Sequence, residues 1–255
     1  MDLHYKKIGD TGQPLIILHG VFGSSDNWMT LGRKFAESHQ VYLVDNRDHG
    51  RSPHTNEFTY DAMKEDLRRF IENQEIENPI ITGHSMGGKV SMLFALQYPE
   101  LYDKLVVVDI AARSYPIHHG DILDGLNAID TSAISSRKEA DALLAASEPN
   151  FAVRQFLLKN LYRDKEKGFQ WRFNLDAITN GIENISIEIA GDQPNYKPTL
   201  FMRGLKSHYV ADEDKPHLAQ LFPQAQFLDF EDAGHWIHAE KPLAFYNAVM
   251  DFVNP

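Results

Sequence analysis

A short apolar run leads directly into the glycine-rich residues 83–88, Gly-His-Ser-Met-Gly-Gly, and a stretch with helical character follows at residues 89–96. A serine flanked by glycines between a strand and a helix indicates a strained turn, because larger side chains at the flanking positions would clash. Such a turn presents the Ser85 hydroxyl to a pocket, beside the free N–H groups that begin the helix. The segment therefore predicts a strand–turn–helix unit with Ser85 as a catalytic nucleophile.

Short runs rich in β-branched residues alternate with helical stretches along most of the chain. Most of these runs are continuously apolar, which is typical of parallel strands covered on both faces. The predicted strands are residues 14–18, 41–44, 79–82, 105–108, 199–202 and 225–230, with an antiparallel strand at 4–8. The predicted helices are residues 27–38, 59–73, 86–97, 215–222 and 242–253. The alternation predicts an α/β fold with a mostly parallel, doubly wound sheet.

One long interval, residues 109–198, breaks this alternation because it contains no convincing core strand. Its predicted helices are residues 117–129, 137–146 and 151–162, with Ser135 and Ser136 as candidate caps of the second. We expect residues 112–193 to form a helical cap that is inserted into a core of residues 1–111 and 194–255. The inner face of such a cap would form the roof of the pocket.

Composition limits the classes of function. A chain of 255 residues is long enough for one large domain. The net charge of −11 disfavours nucleic acid or an anionic membrane as the main partner. Cysteine is absent, which excludes disulfides, thiolate nucleophiles and thiolate metal sites. No stretch is long and apolar enough for a signal peptide or a membrane span, so we expect a cytoplasmic protein.

His235 is the predicted base among twelve histidines. A serine hydroxyl is a poor nucleophile until a base removes its proton. His235 follows the last predicted strand and precedes the final helix, and an α/β fold builds its site in such loops. It also lies late in the chain, as the serine–acid–histidine order of this kind of turn requires. His238 is a weaker alternative, which we expect to pack against the start of the last helix.

Two backbone N–H groups are expected to hold the oxyanion that develops on the carbonyl oxygen during attack. One belongs to Met86, directly after the nucleophile. The other is expected from the loop after the second predicted strand, where Gly20 lets the chain turn. Val21 is the preferred donor in that loop and Phe22 is the alternative. We also predict that Phe22 and Trp236 contact the substrate.

The acid of the site has two candidates. In most folds of this kind it follows the penultimate strand, but that loop carries Ser207 where an aspartate is expected, and Asp212 comes only later among charged residues. Asp109, in contrast, ends an otherwise apolar strand, where a charge is costly unless it is paired. We therefore predict Asp109 rather than Asp212 as the partner of His235, with Ser207 donating a hydrogen bond into the same cluster.

Together these motifs resemble the α/β-hydrolase superfamily over nearly the whole chain. The resemblance is carried by residues 19–20, 45–52, 83–89, 108–111, 171–174 and 234–242. Within the superfamily the chain is similar to small bacterial carboxylesterases and mitochondrial abhydrolase-domain proteins. That subgroup implies a site made of Ser85, Asp109, Ser207 and His235, and hydrolysis of short-to-medium acyl esters, with acyl thioesters as further substrates. Residues 45–52 are expected to be a structural turn.

The expected reaction is two-step acyl transfer on a small-molecule ester, which needs no metal or organic cofactor. The same scaffold also supports hydrolysis of carbon–carbon bonds, peptide cleavage and elimination, so these reactions remain alternatives. A ligand-binding receptor that retains the pocket with little turnover is a further alternative. Ser85 excludes the reactions that need an aspartate nucleophile.

Overall fold

A computed structural model of the chain describes residues 1–116 and 120–254. Its strands are β1 (Tyr5–Ile8), β2 (Pro14–Leu18), β3 (Gln40–Val44), β4 (Ile80–His84), β5 (Lys104–Val108), β6 (Leu161–Asp164), β7 (Gly168–Trp171), β8 (Thr199–Gly204) and β9 (Ala225–Phe230). Its helices are α1 (Met29–Phe35), α2 (Tyr60–Asn73), α3 (Met86–Gln97), α4 (Gly120–Asn127), α5 (Arg137–Leu144), α6 (Phe151–Leu158), α7 (Leu175–Gly181), α8 (Lys215–Leu221), α9 (Ile237–Glu240) and α10 (Pro242–Val253). Short 3₁₀ turns lie at Ser25–Trp28, Pro99–Leu101, Ile182–Ile185 and Asp212–Asp214.

Within the described ranges, seven strands form one sheet in the order β1-β3-β2-β4-β5-β8-β9. β1 runs antiparallel to β3, and the other neighbours pair in parallel. α1 and α10 cover one face, whereas α2 and α3 cover the other. β4 and β8 are buried along their whole length, as strands covered on both faces must be. The predicted doubly wound α/β fold is confirmed.

The predicted boundaries differ from the structure mainly at helix ends. Every predicted strand is present, with ends within two residues of the prediction. The helix predicted at residues 27–38 is shorter, because a 3₁₀ turn occupies Ser25–Trp28 and α1 ends at Phe35. None of the helices in residues 1–116 and 120–254 is long and apolar enough to cross a membrane. The cytoplasmic location stays a prediction.

Residues 112–193 lie between β5 and β8, and we call them the insert. They contain helices α4–α7 and a hairpin of β6 and β7. The predicted cap of α5 is confirmed, because Ser136 Oγ accepts a hydrogen bond from the Glu139 N–H at 3.2 Å. The start of the helix predicted at residues 117–129 lies outside the described residues. That the insert acts as a cap stays a prediction.

The prediction of a helix at residues 151–162 is wrong at its end. α6 ends at Leu158, and Leu161 pairs instead with Trp171 in the β6–β7 hairpin. Between them, the Asn160 carbonyl accepts a hydrogen bond from the Arg172 N–H at 2.9 Å. Pairing with the next strand of the chain therefore takes the backbone groups that would have continued the helix. The insert consequently contains a two-stranded sheet as well as helices.

The order of the strands determines where the site forms. β2, β4, β5, β8 and β9 are consecutive parallel neighbours, so their carboxyl ends meet at one edge of the sheet. The loops that leave this edge carry Val21, Ser85, Asp109, Ser207 and His235. The predicted catalytic loops are therefore adjacent in space although the chain separates them widely.

Candidate active site

Ser85 occupies the strained turn between β4 and α3. Its backbone has φ 53° and ψ −119°, a conformation that non-glycine residues rarely adopt. A Cβ atom on Gly83 would lie 2.3 Å from the Gly87 carbonyl oxygen, and one on Gly87 would lie 2.6 Å from the Leu18 carbonyl oxygen. Both flanking glycines are thus required by close backbone contact. The Ser85 N–H donates to the Val108 carbonyl at 3.0 Å, so the β4–β5 ladder extends to the turn itself.

Ser85 lines a cavity of about 710 Å³, a size that suits a small-molecule ligand. Phe22 and Trp236, the two predicted substrate contacts, are in its wall, as are Val21 and His235. The insert supplies apolar lining from Ile122, Val153, Phe156 and Leu157. In the part of the chain that the structure describes, no group of three or more His, Asp or Glu side chains could hold a metal ion.

Asp109 receives hydrogen bonds from three groups at the bottom of the site. Its Oδ2 atom accepts from His235 Nδ1 at 2.8 Å and from the Ser207 hydroxyl, while Oδ1 accepts from the Gly204 N–H at 2.8 Å. The side chain is fully buried. Burial raises the pKa of Asp109 to about 6, and the hydrogen bonds from Ser207 and Gly204 oppose that rise. The structure therefore brings together the predicted acid, the predicted base and Ser207.

Asp212, the alternative acid, belongs to a group of surface ion pairs. Its carboxylate lies 3.0 Å from Lys215 Nζ and 2.9 Å from an Arg203 guanidinium nitrogen. These two cations lower the pKa of Asp212. Its side chain is 75% exposed, whereas that of Asp109 is 0% exposed. The choice of Asp109 as the partner of His235 agrees with this geometry.

Two aromatic rings hold the His235 imidazole in place. The Tyr209 ring stacks on it with the centroids 3.9 Å apart, and the His84 ring centroid is 4.6 Å away. His84 Nε2 also lies 2.9 Å from the His235 carbonyl oxygen, to which it must donate. Burial lowers the pKa of His84 well below its ordinary value, so this ring is neutral. With Nδ1–H of His235 directed at Asp109, its Nε2 carries the lone pair of the neutral ring.

His238, the weaker alternative base, is a packing residue. Its ring stacks on Trp28 with the centroids 4.0 Å apart and lies 6.2 Å from the ring of Phe245 in α10. Burial lowers the pKa of His238 well below its ordinary value. The side chain thus packs against the start of the last helix, as predicted.

The loop after β2 approaches the nucleophile closely and turns sharply. A Cβ atom on Gly20 would lie 3.1 Å from the Ser85 Cβ atom. The Gly23 N–H donates to the Gly20 carbonyl at 2.9 Å, which closes a four-residue turn with Val21 and Phe22 at its centre. This turn brings the predicted oxyanion donors to the side of the nucleophile.

The two candidate amides in this turn differ in their hydrogen bonding. The Phe22 N–H donates to His49 Nε2 at 3.1 Å, so it is already engaged. Neither the Val21 N–H nor the Met86 N–H donates a hydrogen bond to any residue in the two described ranges. The geometry therefore agrees with Val21 and Met86 as the pair of donors rather than Phe22 and Met86.

Residues 45–52 form a structural turn, as predicted. The Asp45 carboxylate accepts from the Ser25 N–H at 2.6 Å and the Arg51 N–H at 3.0 Å. Gly50 has φ 58°, and a Cβ atom there would lie 2.2 Å from Asp45 Cγ. The carboxylate of Asp45, the first residue of the segment, therefore holds the turn in place.

Lys89 supports the site and was missed by sequence reasoning. Its side chain is fully buried in the helix after the nucleophile, and Nζ donates to the Arg113 carbonyl at 2.7 Å and to the Ile187 carbonyl. Burial lowers the pKa of Lys89 to about 7. These bonds attach α3 to both ends of the insert. Lys89 is the single charged residue of α3, and this was the signal that could have identified it.

Comparison with known proteins extends the assignment. A family model described as the alpha/beta hydrolase fold matches residues 13–132 and 145–242. The chain is 36% identical over 250 residues to the sn-1-specific diacylglycerol lipase ABHD11 of Danio rerio, covering 95% of this chain and 78% of that one. It is 36% identical over 248 residues to Esterase YbfF of Escherichia coli (strain K12), covering 94% and 93% of the two chains. A solved structure described as a marine microorganism esterase is 41% identical, with a TM-score of 0.96 and coverage of 98% and 99%.

These likenesses extend over both the core and the insert, and they agree with the seven-stranded, mostly parallel sheet. They support an esterase or lipase type of hydrolase acting on small-molecule esters. The resemblance found in the sequence motifs is confirmed. The chain belongs to the α/β-hydrolase superfamily, as a member of its small bacterial esterase and abhydrolase-domain type.

Proposed function

We propose that this hydrolase is a serine carboxylesterase in which Ser85 is the nucleophile, His235 the general base and Asp109 the acid that orients the base. The observation that carries the proposal is the 2.8 Å contact between His235 Nδ1 and Asp109 Oδ2. It occurs at the cavity onto which the strained turn presents the serine. A nucleophile, a base and a carboxylate that orients the base make up the minimal unit for acyl transfer.

In the first half of the reaction, Ser85 Oγ attacks the carbonyl carbon of the ester while His235 Nε2 takes the hydroxyl proton. The carbonyl oxygen becomes an oxyanion, which accepts hydrogen bonds from the Met86 and Val21 N–H groups. When the tetrahedral intermediate collapses, the bond to the alcohol breaks and His235 gives its proton to the leaving oxygen. An acyl-Ser85 ester remains.

In the second half, water attacks the acyl-enzyme and His235 takes one of its protons. Collapse then releases the carboxylic acid and returns the proton to Ser85 Oγ. Throughout, Asp109 stabilises the imidazolium and fixes which nitrogen faces the serine. The Ser207 hydroxyl donates to the same carboxylate, and we assign it the role of a fourth, supporting member.

We propose esters of short-to-medium acyl chains as the substrates, with acyl thioesters as a related class. The apolar lining from Val153, Phe156 and Leu157 suits an acyl chain, and a cavity of about 710 Å³ holds a small ester. In this proposal residues 112–193 act as the cap, because α6 supplies that apolar wall. Phe22 and Trp236 contribute further substrate contacts.

The direct test is Ser85→Ala, measured with a series of esters of increasing acyl length. We expect turnover to fall by at least ~10³-fold, the scale of losing a triad member. A fluorophosphonate probe, which forms a covalent bond to an activated serine with loss of fluoride, should label the wild type and not the variant. Ser132→Ala, which removes an exposed hydroxyl in the insert, is the control and should behave as the wild type. Near-normal ester turnover in Ser85→Ala would disprove the proposal.

A further inference from the structure

Asn160 lies outside the reacting groups but contacts the loop that carries Val21. It follows α6 in the insert and is almost completely buried, at 2% exposure. Its Nδ2 atom donates to the Phe22 carbonyl at 2.7 Å and to the Leu157 carbonyl at 3.3 Å. Its own carbonyl accepts from the Arg172 N–H, so the hairpin side of the insert fixes its backbone. Asn160 is thus a rigidly held donor aimed at a core loop.

Phe22 needs such a partner because of its backbone conformation. Its φ is 60°, in the left-handed region that glycine favours and bulky residues avoid. A residue in that conformation persists only where its surroundings hold it. The Phe22 ring also packs edge-on against Phe173 of the insert, with the centroids 5.4 Å apart. The conformation of the turn is therefore held from outside the turn.

The two polar backbone groups of Phe22 are held from opposite sides. On the core side, the Phe22 N–H donates to His49 Nε2 at 3.1 Å, and His49 Nδ1 lies 3.0 Å from the Arg47 carbonyl, to which it donates. Burial lowers the pKa of His49 to about 3, so the ring stays neutral and Nε2 stays an acceptor. On the insert side, the Phe22 carbonyl accepts from Asn160. One imidazole and one amide thus fix the peptide groups that follow Val21.

We infer that Asn160 is a positioning residue for the oxyanion hole, because it holds Phe22 in the left-handed conformation on which the turn that carries Val21 depends. Without this bond, Phe22 can relax to an ordinary negative φ, which rotates the Val21–Phe22 peptide group and changes the type of the turn that carries Val21. The inference rests on the proposed function, since a donor for an oxyanion matters only if Ser85 attacks a carbonyl. It gives the insert a part in the chemical step as well as in substrate binding.

The test is Asn160→Asp, which keeps the shape of the side chain but replaces the donating NH2 with a carboxylate oxygen facing the Phe22 carbonyl. Loss of one oxyanion donor costs about 10²–10³ in kcat, so misplacement of that donor should lower kcat by about 10- to 100-fold. KM should stay within about twofold, because the oxyanion exists only after attack. Affinity for a trifluoromethyl ketone, which forms a tetrahedral oxyanion on the serine, should fall by the same factor as kcat.

Asn184→Asp is the matched control. Asn184 is another asparagine of the insert whose Nδ2 donates to the carbonyl of a core phenylalanine, Phe58, at 3.2 Å. Phe58 precedes α2 and does not belong to the turn that carries Val21. The control therefore makes the same chemical change in a bond of the same kind, although Asn184 is exposed and Asn160 is buried. Its kcat and its affinity for the trifluoromethyl ketone should stay within about twofold of the wild type.

The number of active sites is counted by fluorophosphonate labelling carried to completion, and kcat is calculated per labelled site. A poorly folded variant then shows fewer labelled sites, but its kcat per site is unchanged. Asn160→Ser, whose hydroxyl is too short to reach the Phe22 carbonyl, adds no charge and should change kcat in the same direction. Unchanged kcat and ketone affinity in both variants would overturn the inference, as would a rise in KM alone. Failure of the proposed function would be recognised separately from failure of this inference. In that case Ser85→Ala would retain turnover, whatever the Asn160 variants do.

Discussion

The core and the insert contribute to the site in different ways. The core supplies every group that we assign to the reaction, and the sheet ladder holds two of them directly. The Ser85 N–H bonds to Val108 on the neighbouring strand, and the Asp109 N–H bonds to the Met202 carbonyl at 2.8 Å. The insert supplies the apolar wall of the cavity and no reacting group. The nucleophile and the acid are therefore held by the sheet, whereas the insert contributes a surface for the substrate.

The two regions are nevertheless joined by hydrogen bonds that run in both directions. Lys89 of the core donates to the carbonyls of Arg113 and Ile187, at the two ends of the insert. Asn160 of the insert donates to the Phe22 carbonyl in the core. Each bond joins a buried donor to a backbone carbonyl, so neither depends on the exact side chain of its partner. Variants in the core alone or in the insert alone would test how far the two regions differ in what they contribute to the site.

The largest effect should come from the core acid. Asp109→Asn removes the carboxylate that fixes the His235 tautomer, and loss of the equivalent group in a serine triad lowers kcat by about 10⁴-fold. We expect a loss of at least about 10³-fold in ester turnover. Asp212→Asn, the matched change in the surface ion-pair group, should leave turnover within about twofold. If only Asp212→Asn is inactive, the assignment of the acid is wrong.

Protonation of Asp109 at low pH should lower activity less than Asp109→Asn does. The pKa of Asp109 is raised to about 6, so the carboxylate is protonated as the pH falls through that value. We expect kcat/KM to fall about tenfold per pH unit below about 6. The folded state then binds this proton more tightly than the unfolded state, whose carboxyl has its ordinary value near 3.9, so protonation of Asp109 adds to stability between these values.

Activity should therefore fall about tenfold by pH 5 while the fold persists, and it should return when the pH is raised. Initial rates and far-ultraviolet circular dichroism measured on the same samples would check this. A rate that stays constant down to pH 5 would contradict the role of Asp109. A rate that falls only together with the circular dichroism signal would attribute the loss to unfolding instead.

The smallest effect should come from the apolar wall that the insert contributes to the cavity, and it should depend on the substrate. Val153→Phe adds bulk to the apolar wall on α6 and should lower kcat/KM for octanoyl esters by about 10-fold, since mismatched apolar contacts are worth about 10–200-fold. Acetyl esters should be affected by less than about twofold. Ala152→Phe, at the exposed neighbouring position of the same helix, is the control. An equal loss for both acyl lengths would mean that the insert does not set acyl preference.

Much of the core could be predicted from the sequence, because the signals are local. Continuous apolar runs located the strands, and the glycines on either side of Ser85 identified the turn. Asp109 was recognised because a carboxylate that ends an apolar strand needs a partner. Ser207 strengthened that choice by occupying the position where an acid was expected.

The insert was predicted less well, because its structure depends on distant partners. Residues 159–162 continue the apolar spacing of α6, but pairing of Leu161 with Trp171 ends the helix. The contact between Asn160 and Phe22 joins residues 138 positions apart, and the one between Phe22 and His49 joins residues 27 apart. Neither leaves a pattern in the sequence around it.

The hydrogen bond from Ser85 to Val108 has a consequence for how the enzyme behaves on heating. Val108 directly precedes Asp109, so one stretch of ladder in the middle of the sheet holds both the nucleophile and the acid. His235 lies on a loop between β9 and α9, and loops open at lower free-energy cost than central strands. On heating, the base should therefore separate from its two partners before the sheet melts, and cooling should restore it.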